Sequence, residues 1–163
     1  MQEEERNRYK ILIDRGNEVF ERLAGQISNL NNRAIALLSL NLVFITLILT
    51  VILYLLDHGW QPSTNEQYIL IFTIGLLVFS VGISYYIFKP TRYKEINVFE
   101  EERFNELKRM NEKGLLSNNL ADIRAAYEFN LKKYKGRTAW FKISSIFHMG
   151  AFSILIYTLI INL

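Results

Sequence analysis

The chain has no cysteine and only two histidines in 163 residues. Without cysteine there is no disulfide and no thiolate chemistry, and cysteine usage says nothing about redox compartment. His58 and His148 fall on opposite sides of a membrane by the topology argued below, so no histidine pair can hold a metal or relay a proton. Serines occur without a neighbouring base, and no glycine-rich phosphate loop is present. The sequence therefore points away from an enzyme and calls for no cofactor and no metal. The most informative absence is of charge: Asp, Glu, Lys and Arg are missing from residues 34–56, 67–88 and 143–163.

Each of these runs is long enough to cross a bilayer. About 20 apolar residues at ~1.5 Å per residue match a hydrocarbon core of about 30 Å, a length that core helices of soluble proteins seldom reach without a charge. The expected organisation is all-α: a cytosolic amphipathic helix over 1–33, transmembrane helices over 34–56, 67–88 and 143–163, an outer loop at 57–66, and a cytosolic helical segment over 89–142. The first run follows 33 residues that carry six acidic and six basic side chains, so it is expected to act as an uncleaved signal anchor.

The net charge of +3 hides an asymmetry. Six Lys or Arg precede the first run, none lies in 57–66, and thirteen lie in 89–142. The positive-inside rule then places the N-terminus and the segment after the second run in the cytoplasm, and residues 57–66 and the C-terminus outside. Gly59 and Pro62 end the first helix, and Trp60, Tyr54 and Tyr68 form an outer aromatic belt. Arg33, Lys89, Arg92, Lys135, Arg137 and Lys142 are inner-interface anchors, each gaining about 1 kcal/mol near anionic lipid. Anchoring explains the basic cluster before the third run without nucleic acid as a partner.

The cytosolic parts are patterned. Leu12, Gly16, Val19, Leu23, Ile27, Leu30 and Ala34 put an apolar stripe on one helix face, and nothing between Arg22 and Arg33 forces that helix to stop before the first run. Gly16 and Gly25 are its weak points. Leu120, Ile123, Tyr127, Leu131, Tyr134, Thr138 and Phe141 give the same spacing into the third run. Between them Ile96, Phe99, Phe104, Leu107 and Met110 mark a shorter helix ended at Gly114, with Ser117, Asn118 and Asn119 offering the cap of the next. Coiled-coil packing accounts for these stripes. The charges around Glu100, Arg103 and Lys108 read as a solvated face.

Polar residues inside the apolar runs are the candidate functional positions. Asn41 must bond another helix or face water, and Thr46 and Thr50 are expected near the same side, so the three are candidate pore-lining residues. Gly75, Ser80, Gly82 and Ser84 are expected to let another helix approach the second run. His148, with Gly150 and Ser153, reads as hydrogen-bonded structure more simply than as a pH sensor. No Asp, Glu, Lys or Arg lies in mid-membrane, which argues against an ion-coupled transporter or proton pump.

The run Asn32-Arg33-Ala34-Ile35-Ala36-Leu37-Leu38-Ser39-Leu40-Asn41 resembles the start of the first span in Pycsar-type membrane effectors, whose general plan the SLATT-domain effectors share. In both, as the resemblance implies, a two-span hairpin is followed by a helical cytosolic segment and a Lys-Tyr element before a last hydrophobic helix. Here that element is Lys133-Tyr134-Lys135-Gly136-Arg137. The resemblance covers most of the chain and implies a prokaryotic cell-membrane protein that forms homo-oligomers and permeabilises the membrane in antiphage defence, in response to a nucleotide signal. The sequence shows no recognisable cyclic-nucleotide-binding domain, so sensing falls to a soluble sensor subunit or to the helices themselves. Two other readings stay open: a non-conducting scaffold that docks a soluble partner, and an insertase-like three-span protein with Arg33 in a polar groove rather than snorkelling to the interface.

Overall fold

The computed structural model describes residues 3–89, 93 and 109–161, and all regular secondary structure among them is α-helix. Three helices follow in order: α1 (Glu3–Asp57), α2 (Thr64–Phe88) and α3 (Glu112–Ile161). All three are long and apolar enough to cross a membrane. The helix expected around Ile96, Phe99, Phe104 and Leu107 lies outside the described residues, as does Arg92.

Local chemistry sets the helix ends. α1 stops where Gly59 takes φ +83°, a conformation that costs other residues a Cβ clash. The Gly59 and Trp60 amides then satisfy the Leu56 and Leu55 carbonyls at 3.1 and 2.9 Å. α2 opens with a reciprocal cap. Ser63 Oγ accepts from the Glu66 amide at 3.4 Å, and the Glu66 carboxylate accepts from the Ser63 amide at 2.7 Å and from its hydroxyl at 2.8 Å. The Ser63 amide first, and its hydroxyl second, hold the Glu66 carboxyl below its ordinary pKa of 4.5. A lowered carboxyl stabilises the folded end fully above that ordinary value and loses the contribution as pH falls through the lowered one. The first turn of α2 is therefore expected to fray as pH falls below 4.5 and through the lowered value, seen as faster amide exchange at Glu66 and Gln67, and Glu66→Gln should fray it at neutral pH.

α3 begins two residues before Gly114, not after it. Asn111 Oδ1 accepts from the Gly114 amide at 2.8 Å and the Asn111 carbonyl from Leu115 N at 3.0 Å, so Asn111 supplies the cap that Ser117 to Asn119 were expected to provide.

The chain divides into two compact units, one of Met1–Asn29 with Thr91–Lys135, the other of Leu30–Pro90 with Gly136–Leu163. In the first, α1 and α3 run parallel. Arg6 pairs with Glu112 and Glu5 with Lys113, both at 2.7 Å, and a Cβ on Gly16 would stand 3.0 Å from Ile123 Cγ2. Leu23 and Ile27 on α1 and Ile123, Ala126 and Asn130 on α3 are buried. Leu12 and Val19, expected on the buried stripe, are exposed. The cause is spacing: the seam follows Tyr9, Ile13, Gly16, Phe20, Leu23 and Ile27 in strictly alternating fours and threes, whereas the stripe through Val19 takes two fours in succession and drifts off the face.

In the second unit α1 and α3 are again parallel and α2 lies antiparallel to both. Ile48, Leu77 and Ala151, one from each helix, form an apolar centre against which Phe44, Ile45, Ile52, Leu70, Ile74, Leu76 and Leu155 pack. This unit carries the three apolar runs.

Candidate functional site

The buried positions of the second unit recur at seam spacing on every helix: Leu30, Ala34, Asn41 and Ile48 on α1; Thr73, Leu77, Ser80, Ser84 and Ile87 on α2; Arg137, Ser144, His148 and Ala151 on α3. Seven of these thirteen carry polar side chains. Asn41, Ser80, Ser84 and Ser144 are fully buried and His148 is 8% exposed. Five polar groups at core positions of three apolar helices must bond one another.

They do so as one directed network. His148 Nδ1 lies 2.6 Å from Asn41 Oδ1, and Asn41 Nδ2 donates to Ser80 Oγ at 2.7 Å. The Ser80 hydroxyl donates to the Ser144 carbonyl at 3.0 Å, and the Ser144 hydroxyl donates back to the Ser80 carbonyl at 2.9 Å. Ser84 Oγ lies 2.9 Å from Ser144 Oγ and, because the Ser144 proton is engaged, acts as donor there. The exchange of hydroxyl and carbonyl bonds between Ser80 and Ser144 draws the α2 and α3 backbones together, which small residues permit. Since the Asn41 amide group gives its N–H to Ser80, its oxygen can only accept, and His148 Nδ1 must carry the proton.

Either end of this network is closed differently. Towards the Ile48, Leu77 and Ala151 centre, the Phe44 ring lies 5.6 Å from both the His148 and Phe152 rings, and the surroundings are apolar. At the other end Arg137, 7% exposed, donates through Nη2 to the Lys89 carbonyl at 2.7 Å. Lys89 is the C-cap of α2, so the guanidinium sits at the negative end of the α2 dipole. Tyr86 and Trp140 meet edge to face close by, centroids 6.3 Å apart.

The expected site residues thus separate. Asn41 is inside the network, whereas Thr46 and Thr50 are exposed and return their hydroxyl protons to the Leu42 and Thr46 carbonyls at 2.9 and 2.8 Å. Five and nine residues on a helix correspond to about 140° and 180°, so the two threonines do not share the side of Asn41. Ser80 and Ser84 are fully buried against α3, whereas Gly75 and Gly82 lie on the exposed face of α2, with nothing within 4 Å of an added Cβ. Ser153 is likewise exposed, its hydroxyl bonded to the Met149 carbonyl at 2.9 Å. Arg33, Lys89, Lys135 and Lys142 are exposed, while Arg137 is buried. Sequence reasoning missed the central part played by Ser144; the available signal was its place seven residues from Arg137 and from Ala151 on the same seam.

In this arrangement the histidine ring bonds an amide, not a serine hydroxyl. No group of three His, Cys, Asp or Glu that could hold a metal occurs among the described residues. No family model, no curated protein and no solved structure matches the chain.

Proposed function

We propose that this is a multi-pass membrane protein of the prokaryotic cell membrane that acts as an oligomeric effector, permeabilising the bilayer in antiphage defence. The observation that carries the reading is the network of Asn41, Ser80, Ser84, Ser144 and His148, a set of polar side chains sealed between three apolar helices. Closed, the helices satisfy these groups internally and present apolar faces to lipid. Parted, the same groups would line a wet path, with Ile48, Leu77 and Ala151 as the constriction that stays dewetted until the helices separate. The charge asymmetry orients the N-terminus to the cytoplasm and the C-terminus outside, and the resemblance to Pycsar-type and SLATT-like effectors agrees with this plan.

The trigger acts through the cytosolic helices. α1 and α3 contribute residues to both compact units, so a nucleotide or a soluble sensor subunit that repacks the first changes helices shared with the second. Three spans enclose little water, so conduction calls for a homo-oligomer, and the lack of charged rings predicts weak ion selectivity.

A second reading, a non-conducting scaffold for a soluble partner, is favoured by the exposed threonines, whose hydroxyls are spent on their own helix. One experiment separates the two. Because the chain lacks cysteine, Ser80→Cys introduces a single thiol at a fully buried position. The full chain in liposomes is expected to release dye when candidate nucleotides are added, and a water-soluble thiol reagent should label Cys-substituted Ser80 and change the leak only then. A stable oligomer that never leaks, its thiol never labelled, would establish the scaffold.

A further inference from the structure

His148 is the only Asp, Glu, His, Lys, Arg or Tyr residue in 34–53 of α1, 69–84 of α2 and 143–156 of α3. Its depth follows from the aromatic residues. Tyr86 and Trp140 meet at one end of the unit, while Tyr68 and Tyr157 are exposed 18 and 17 residues away along α2 and α3, about 27 and 26 Å at ~1.5 Å per residue. That separation matches the distance between the two aromatic belts of a bilayer of about 30 Å. His148 lies eight residues from Trp140 and nine from Tyr157, and so at the middle of the slab rather than on the cytoplasmic side of the membrane where the topology of the sequence had it.

The ring is half engaged. Nδ1 donates to Asn41, and the Phe44 ring packs against the imidazole, but Nε2 has no hydrogen-bond partner among the described residues. From α1 the facing groups are Asn41 and Phe44, from α2 Ser80, and on α3 itself Ser144 and Phe152; none is charged and none titrates in the working range of an imidazole. A neutral ring leaves Nε2 as a bare acceptor, which apolar surroundings tolerate. A proton from water bound at Nε2 makes a cation with a second N–H donor, and no acceptor among the described residues lies within hydrogen-bond reach of Nε2. Such a cation facing hydrocarbon at mid-bilayer is stabilised only by water, which the closed three-helix contact does not supply.

We infer that His148 is a proton-operated latch: its neutral Nδ1–H form closes the three-helix contact, and binding of a proton at Nε2 opens it. The inference rests on the permeability reading for its physiological consequence but not for its test. His58, the other histidine, lies at the exposed end of α1 with its Nδ1 on the Tyr54 carbonyl, and a spectrum of the protein contains only these two imidazoles.

The test uses the full chain in lipid nanodiscs, ¹⁵N-labelled at histidine, with spin labels on cysteines substituted for the exposed Val43 and Ile146. At about pH 8 the His148 signals should show the Nδ1–H tautomer, the minor form of free histidine, and lowering the pH to about 5 should convert it to imidazolium as the label distance lengthens. His148→Gln keeps a side-chain N–H for Asn41 and cannot be charged, so its distance should not change with pH. In liposomes the dye leak should rise about tenfold over the same interval for the natural chain and stay flat for the variant. An Nε2–H tautomer at high pH, a distance that ignores pH, or an equal pH response in His148→Gln would overturn the latch. Lengthening without leakage would leave the latch standing and remove the permeability reading; nucleotide-triggered leakage with a pH-independent distance would do the reverse.

Discussion

Ser144→Leu is expected to be the most damaging single substitution in the second unit, lowering stability in micelles by about 2 to 4 kcal/mol. Ser144 is fully buried, and its hydroxyl meets Ser80 Oγ, Ser84 Oγ and the Ser80 carbonyl at 2.9 Å each. Leucine removes the two hydrogen bonds of this hydroxyl, one given to the Ser80 carbonyl and one taken from Ser84, each worth about 0.6 kcal/mol on average between membrane helices. It also adds two heavy atoms where the Ser80 and Ser144 hydroxyls bond each other's carbonyls, and overfilling such a contact costs about 1 to 3 kcal/mol. Ser144→Ala isolates the hydrogen-bond part, because alanine fits the existing space; about 1 kcal/mol is expected. Denaturant titration of both variants checks the split, and equal losses would mean that α2 and α3 do not approach closely here.

Asn41→Leu is expected to cost about 1 to 3 kcal/mol although leucine has the same number and branching of side-chain heavy atoms as asparagine. The loss arises in what is left behind: the His148 Nδ1–H without an acceptor and Ser80 without its donor, both in apolar surroundings. Removing both partners of a buried bond is often milder than removing one. The double variant Asn41→Leu with His148→Leu should therefore be more stable than the sum of the single losses predicts, by about 1 kcal/mol or more in a double-mutant cycle. Strict additivity would show that the two side chains do not interact. The cycle also bears on function, since an Asn41 that only faced water in an open path would show no coupling to His148.

Much of the architecture was legible because one-dimensional signals carry it. Uncharged runs of bilayer length follow directly from the sequence, and α1 runs through from the amphipathic arm to the first apolar run because no breaker interrupts it. Gly59 ends α1 because few other residues accept its backbone angle. Periodicity is weaker evidence of face. Leu12 and Val19 looked like seam residues because apolar side chains fall near a helical stripe by composition alone, and only the partner helix selects Ile13, Gly16 and Phe20 instead.

The polar residues divide in the same way. That Asn41 needed either a partner or water followed from its place in an apolar run; that it has partners, and that they are Ser80 and His148, 39 and 107 positions away, depends on which helix faces lie together. The amide, the hydroxyls and the imidazole have hydrogen-bonding capacity in every conformation, but direction and closure of the network exist only once three backbones are within about 3 Å reach of each other's side chains. Thr46 and Thr50 show the converse, since their hydroxyls find acceptors one turn back on α1 and need no neighbour. By itself, then, the sequence determined three membrane-length helices, their charge asymmetry and the presence of polar groups requiring partners. Tertiary structure decided which groups those partners are, because hydrogen bonds between helices depend on register and facing, quantities that no single helix contains.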